Sequence, residues 1–205
     1  MERYTPNERS NHWLTAITFV LLALSGLAMF HPALFWLSAL FGGGQWMRIL
    51  HPFIGLAMFA SFAGLVLRFW HHNCSSATIC SGLGKSAMCS TIARKNCPEV
   101  GRYNAGQKLL FFVLVACLVL LLASGLVIWR RYFSGYFPID VVRLAVLVHA
   151  IAGFVLMAAI IVHIYAAIWV KGTMGAMLRG TVYLGLGPQH HPRWFRAVIK
   201  ANSRH

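Results

Sequence analysis

Ten histidines stand out in a chain with few other groups able to do chemistry. His12, His51, His149 and His163 fall at or inside the ends of long apolar stretches, where an ionisable side chain marks a functional site by default. His149 and His163 are fourteen residues apart. At about 100° per residue this is close to four full turns, so in a helix both imidazoles lie on one face, about 21 Å apart along the axis. Two histidines stacked on one face across a bilayer suit two haems, one near each surface, each completed by a second axial histidine at matching depth. His51 starts its stretch on the side of His149, and His12 starts its stretch on the side of His163. The expected pairs are therefore His51/His149 and His12/His163. Zinc fits less well, because its tetrahedral sites cluster their ligands and often include cysteine. His31, His71, His72, His190, His191 and His205 read as interfacial residues or tail contacts.

The elements that must position these residues are membrane helices. The 205 residues are 59% hydrophobic and 11% charged, with a mean hydropathy of +0.66. Soluble domains carry about a quarter charged residues. Four apolar segments, at about 13–36, 52–70, 109–129 and 144–170, each reach the roughly twenty residues that cross a bilayer as helix. Trp13, Trp70, Trp129 and Trp169 mark their ends as an interfacial belt. A soluble bundle would need polar stripes that the third and fourth segments lack. The first segment is too long for a cleavable leader and no small-residue cleavage site follows it. The expected fold is an all-α integral membrane four-helix bundle in one domain, with a loop at 71–108 and a tail at 171–205.

The net charge of +14 is mainly a topology signal. Fourteen of the eighteen basic residues lie in the N-terminal arm, the 71–108 loop with its margins, and the tail; the other two loops hold Arg48, Arg130, Arg131 and Arg143. By the positive-inside rule both termini face the cytoplasm. The basic residues do not form a stripe on a polar domain, so nucleic acid is not an expected partner. The spans contain no Asp or Glu, which argues against a haem-free transporter relaying protons through the histidines. A purely structural anchor leaves the matched histidines unexplained. No catalytic dyad, nucleophile constellation or phosphate loop is present.

A faint internal repeat accompanies the histidines. Leu24-Ser25-Gly26-Leu27 resembles Ala123-Ser124-Gly125-Leu126, and the two glycines are followed 25 and 24 residues later by His51 and His149. Gly55 and Gly153 lie four residues after those histidines, one turn on, where the loss of a side chain would give a flat porphyrin clearance. His12 and His163 do not obey the repeat.

Several stretches carry a resemblance to a known family: Asn11-His12-Trp13, Arg48-Ile49-Leu50-His51-Pro52-Phe53, Gly101-Arg102-Tyr103-Asn104-Ala105-Gly106-Gln107-Lys108, Ile128-Trp129-Arg130, His163-Ile164-Tyr165, Trp169-Val170-Lys171-Gly172 and His190-His191-Pro192-Arg193-Trp194. With these the chain resembles the cytochrome b (gamma) subunit of the respiratory, membrane-bound formate dehydrogenases of bacteria. The resemblance implies two b haems on His12, His51, His149 and His163, paired as above. It implies a quinone site (menaquinone or ubiquinone) at Asn104, Gly106 and Gln107 with His163 close by. It also implies an iron–sulfur (beta) subunit and a molybdenum- or tungsten-containing catalytic (alpha) subunit as partners, in the bacterial inner membrane. The cytochrome b of a hydrogenase or thiosulfate reductase shares the four-span, two-haem plan; the Gly101–Lys108 segment and the tail favour formate dehydrogenase.

Two segments depart from that family. Cys74 to Cys97 replaces a charged amphipathic stretch with a run that holds four of the five cysteines and no acidic residue. None of its spacings is the short C-x2-C of zinc or iron–sulfur sites, and a cytoplasmic loop is too reducing for disulfides. Tyr183 to Gln189 replaces an expected basic stretch. The first departure reads as a local shift of reading frame, restored at Pro98-Glu99-Val100-Gly101. Resequencing the gene is expected to reveal compensating insertions and deletions around this segment; an open frame identical to the present reading would exclude the shift.

Overall fold

In a computed structural model, residues 4–73, 105–169 and 173–180 are described. The Cys74–Cys97 segment, Asn104 and the Tyr183–Gln189 segment lie outside them. The described residues contain four helices long and apolar enough to cross a membrane, and no strand among them. Helix α1 is Pro6–Phe30, α2 is Gly44–Asn73, α3 is Ala105–Ile128 and α4 is Ile139–Trp169. A 3-10 helix, Pro32–Phe41, joins α1 to α2, and a short helix α5, Thr173–Arg179, follows α4.

Helix ends follow local chemistry more closely than they follow hydropathy. The first apolar segment does not continue as one span to residue 36: α1 stops at Phe30 because His31 precedes a proline and takes an extended conformation, φ −132° and ψ 131°. His31 then caps the 3-10 helix, its Nδ1 accepting the Ala33 N–H at 3.2 Å. Gly42 and Gly43, both at positive φ (82° and 101°), turn the chain into α2. Helix α2 starts eight residues before Pro52 and holds that proline in its interior. Helices α2 and α4 thus begin before the apolar segments they contain, since backbone hydrogen bonding continues beyond the hydrocarbon.

The chain divides into two compact units. In the first, residues 10–66 and 113–163, all four long helices contribute to one cluster. Met58, Cys117, Leu118 and Leu156 form its buried centre, with Phe19, Leu22, Phe62 and Ile160 against it. A second cluster packs the 3-10 helix onto the end of α1 and the start of α2 through Ala28, Leu37 and Met47. Most large apolar side chains instead point outward, among them Ile17, Val119, Leu147 and Ile161. This is the pattern of helices solvated by lipid, where small buried residues such as Ser25, Ala28 and Ala152 let backbones approach.

The second unit, whose described residues are 4–9, 67–73, 105–112, 164–169 and 173–180, holds the start of α1. Thr5 and Glu8 form a capping box: the Thr5 N–H donates to Glu8 Oε2 at 2.8 Å, and the Glu8 N–H donates to Thr5 Oγ1 at 3.4 Å. Glu8 also pairs with Arg68 Nε at 3.3 Å. The Arg9 guanidinium donates to the Leu178 carbonyl at 2.7 Å, taking up a free carbonyl at the C-terminus of α5, and Gly180 at φ 82° ends that helix. Glu8→Ala is expected to cost about 1 kcal/mol through the capping box, lowering the unfolding temperature in detergent. Arg68→Ala should cost less, because that guanidinium is half exposed and its pairing is weakened by solvent.

Candidate functional site

The four histidines singled out by spacing lie in the first unit as two facing pairs. His51 on α2 and His149 on α4 have ring centroids 6.3 Å apart, with planes inclined at 62°. His12 on α1 and His163 on α4 have centroids 6.4 Å apart, inclined at 46°. All four are partly buried. Trp13 meets His12 edge-on at 5.6 Å.

The His51/His149 pair is tethered by two serines. Ser25 Oγ lies 2.7 Å from His51 Nδ1, and Ser124 Oγ lies 2.9 Å from His149 Nδ1. Each hydroxyl also donates to its own helix, Ser25 to the Leu21 carbonyl at 2.8 Å and Ser124 to the Leu120 carbonyl at 2.6 Å. A hydroxyl has one proton, and a carbonyl can only accept it. The arrangement that satisfies both contacts therefore has Nδ1–H donating to Oγ. This tautomer leaves the Nε2 lone pair of each ring free. The repeat flagged Ser25 and Ser124 in the sequence without indicating their histidine partners; the recurring distance from serine to histidine was the available signal.

The repeat's glycines serve the same pair. A Cβ on Gly26 would stand 3.7 Å from His51 Cε1, and one on Gly125 would stand 3.3 Å from His149 Cε1. These two, one on α1 and one on α3, are the glycines that border the imidazoles. Gly153 faces open space, where a Cβ would meet nothing within 4 Å, whereas Gly55 faces Leu22 at 3.9 Å.

The His12/His163 pair is built differently. His12 Nδ1 is buried and has no hydrogen-bond partner among the described residues. Beside it, Asn11 clamps α1 to α2: its Nδ2 donates to the Ser61 carbonyl at 3.1 Å, and Ser61 Oγ donates to Asn11 Oδ1 at 2.5 Å. Thr15 joins through a 2.8 Å contact with Ser61 Oγ, and Gly64 leaves room for the Asn11 amide. Of the expected quinone residues, Gly106 is exposed in the first turn of α3, Gln107 follows it in that turn, and Asn104 lies outside the described residues. Among the described residues no group of three or more His, Cys, Asp or Glu comes together, so these sites offer pairs of imidazoles only.

Residues 3–180 match the prokaryotic cytochrome b561 family. The chain is 45% identical to the cytochrome b556(fdo) subunit of formate dehydrogenase from Escherichia coli strain K12, covering 98% of this chain and 95% of the relative. It is 42% identical to the nitrate-inducible cytochrome b556(Fdn) subunit of the same organism, over 96% and 91% of the two chains. The Haemophilus influenzae formate dehydrogenase cytochrome b556 subunit is 38% identical, over 96% and 83%. The chain belongs to the prokaryotic cytochrome b561 family and, with these relatives, to the formate dehydrogenase cytochrome b subunits.

A b-type cytochrome carries haem b, and the histidine pairs of this cytochrome suit that group. An iron atom between two imidazoles, with metal–nitrogen bonds of about 2 Å, requires ring centroids about 6 Å apart, close to the separations of both pairs. The serine-bound tautomer leaves each ring a free Nε2 lone pair able to bind a metal, and Gly153, one turn after His149, faces open space. Gly125→Ala is expected to push on the His149 ring and lower haem content or broaden the haem bands. Gly26→Ala, with 0.4 Å more room, should do so less (3.7 against 3.3 Å). Haem per chain and the reduced visible spectrum of each variant check the order.

Proposed function

We propose that this chain is a di-haem electron carrier. His51 and His149 hold one b haem near the outer face of the membrane, and His12 and His163 hold the other near the cytoplasmic face. The observation that carries the reading is the pair of imidazole separations, 6.3 and 6.4 Å, reached by residues from three different helices. Bound in this way, the haems would pass electrons one at a time from a periplasmic iron–sulfur subunit to a quinone reduced near the cytoplasmic face.

The chain's own part is to hold and insulate. Apolar helices exclude water from the region between the pairs, so the electrostatic surroundings of each site are set by protein and lipid. Both termini lie in the cytoplasm, as the basic residues favour. Asn104, Gly106 and Gln107 are the residues we assign to quinone binding, with amide groups suited to hydrogen-bonding a quinone carbonyl and the nearby cytoplasm supplying protons. Arg48, Arg130 and Arg131 offer a basic surface to the iron–sulfur partner, which delivers electrons from the molybdenum- or tungsten-containing subunit that oxidises formate. Arg143 is already paired with Asp140 at 3.7 Å, in an exposed contact of little strength.

A dithionite-reduced minus oxidised spectrum of the purified complex should give two low-spin b haems per chain. His51→Ala and His12→Ala should each remove one. A folded preparation without haem, or one in which both substitutions remove the same haem, would overturn the reading.

A further inference from the structure

Both histidines of the outer pair have their Nδ1 on a serine hydroxyl, and both serines come from the same short repeat, on α1 and on α3. Neither serine is on the helix that carries its histidine. Both are buried, Ser25 completely and Ser124 at 6% exposure. Each hydroxyl is locked by its bond to the carbonyl four residues earlier, so its remaining capacity is to accept. His12, in the other pair, has no such partner for its Nδ1 among the described residues.

We propose that Ser25 and Ser124 are positioning residues that orient the outer pair and tune the iron it would hold. Two consequences follow from the hydrogen bond. It stops each ring from rotating and keeps Nδ1 engaged, leaving Nε2 as the nitrogen available to a metal. It also makes each imidazole a stronger donor to a bound metal, because an Nδ1–H that is being donated leaves more electron density on Nε2. A stronger donor favours the oxidised metal and lowers the reduction potential of the site. Two such bonds on the outer pair, against an unpartnered Nδ1 on His12, set the outer site below the inner one and make electron transfer from outer to inner downhill. This inference rests on the di-haem reading above.

Thr18 provides a control within the same protein. It too is buried on α1 and donates to helix carbonyls, those of Leu14 at 2.8 Å and Thr15 at 3.0 Å, with no histidine contact. A merely structural role for helix hydroxyls would make Thr18 and Ser25 equivalent.

The test is a potentiometric titration of the purified complex, followed in the visible and by electron paramagnetic resonance. The unsubstituted protein and the Ser25→Ala, Ser124→Ala, Ser124→Thr and Thr18→Ala variants are compared. His51→Ala identifies which signal is the outer haem. The expected result is an upward shift of the outer midpoint in each serine-to-alanine variant, with an altered low-spin resonance. The inner midpoint should not move. Ser124→Thr, which keeps a hydroxyl, should restore the original values, and Thr18→Ala should leave both midpoints in place. Unmoved midpoints and resonances in both alanine variants would overturn the proposal. So would loss of the outer haem from Ser124→Ala and Ser124→Thr alike, since the site would then need the serine's size and not its hydroxyl. Absence of two haems from the unsubstituted protein would instead defeat the underlying di-haem reading.

Discussion

Hydrocarbon offers no hydrogen bonds, so every polar group carried into the membrane must find its partner inside the protein. Helices meet this demand for the backbone, and four buried or half-buried hydroxyls among the described residues meet it in the same way. Ser25, Ser124, Thr15 and Thr18 each donate to the carbonyl four residues back on their own helix. Once that proton is committed, the hydroxyl oxygen can only accept. The histidines supply the missing donors at two of these places, and their second nitrogen is thereby left with a free lone pair. The chemistry of the outer pair follows from the same solvent constraint that makes the protein helical.

Packing answers a different demand. Lipid is as apolar as leucine, so burying leucine against leucine does not by itself hold membrane helices together. Accordingly the large side chains face outward, while small residues and polar clamps occupy the contacts. The Asn11–Ser61–Thr15 cluster ties α1 to α2 immediately beside His12, so one imidazole of the second pair is held through its neighbour's amide. Gly26 and Gly125 let α1 and α3 come close enough for their serines to reach histidines on other helices. The His51/His149 pair is thus supported by helices that do not carry its histidines, and His12 by a clamp between its own helix and α2.

In the di-haem reading proposed above, the difference between the two histidine pairs would give electron transfer a direction. The outer pair is duplicated, hydroxyl-bound and bordered by glycine; the inner pair is unduplicated and held by a neighbouring clamp. A carrier that moves electrons across a membrane benefits from two sites that are not equivalent, because equivalent sites give no driving force between them.

The number of spans, the apolar surface facing lipid and which imidazoles face each other were legible in the sequence. Hydropathy over twenty residues reports directly on the cost of placing a segment in hydrocarbon, and a fourteen-residue spacing reports directly on helix phase. Where α1 ends was less legible. Hydropathy runs on past His31, but the proline after it disfavours the helical conformation, His31 is extended, and a 3-10 helix takes over. The repeat of Ser25-Gly26 and Ser124-Gly125 was visible as a pattern, yet its meaning was not, because helix phase says nothing about which neighbouring helix a face will meet. Gly55 and Gly153 looked equivalent by position, and only packing separated them, with Leu22 against one and open space at the other. Sequence by itself determined the solvent each segment must live in and the face each histidine must share. Tertiary structure decided which hydroxyl meets which imidazole, since that choice depends on contacts between helices far apart in the chain.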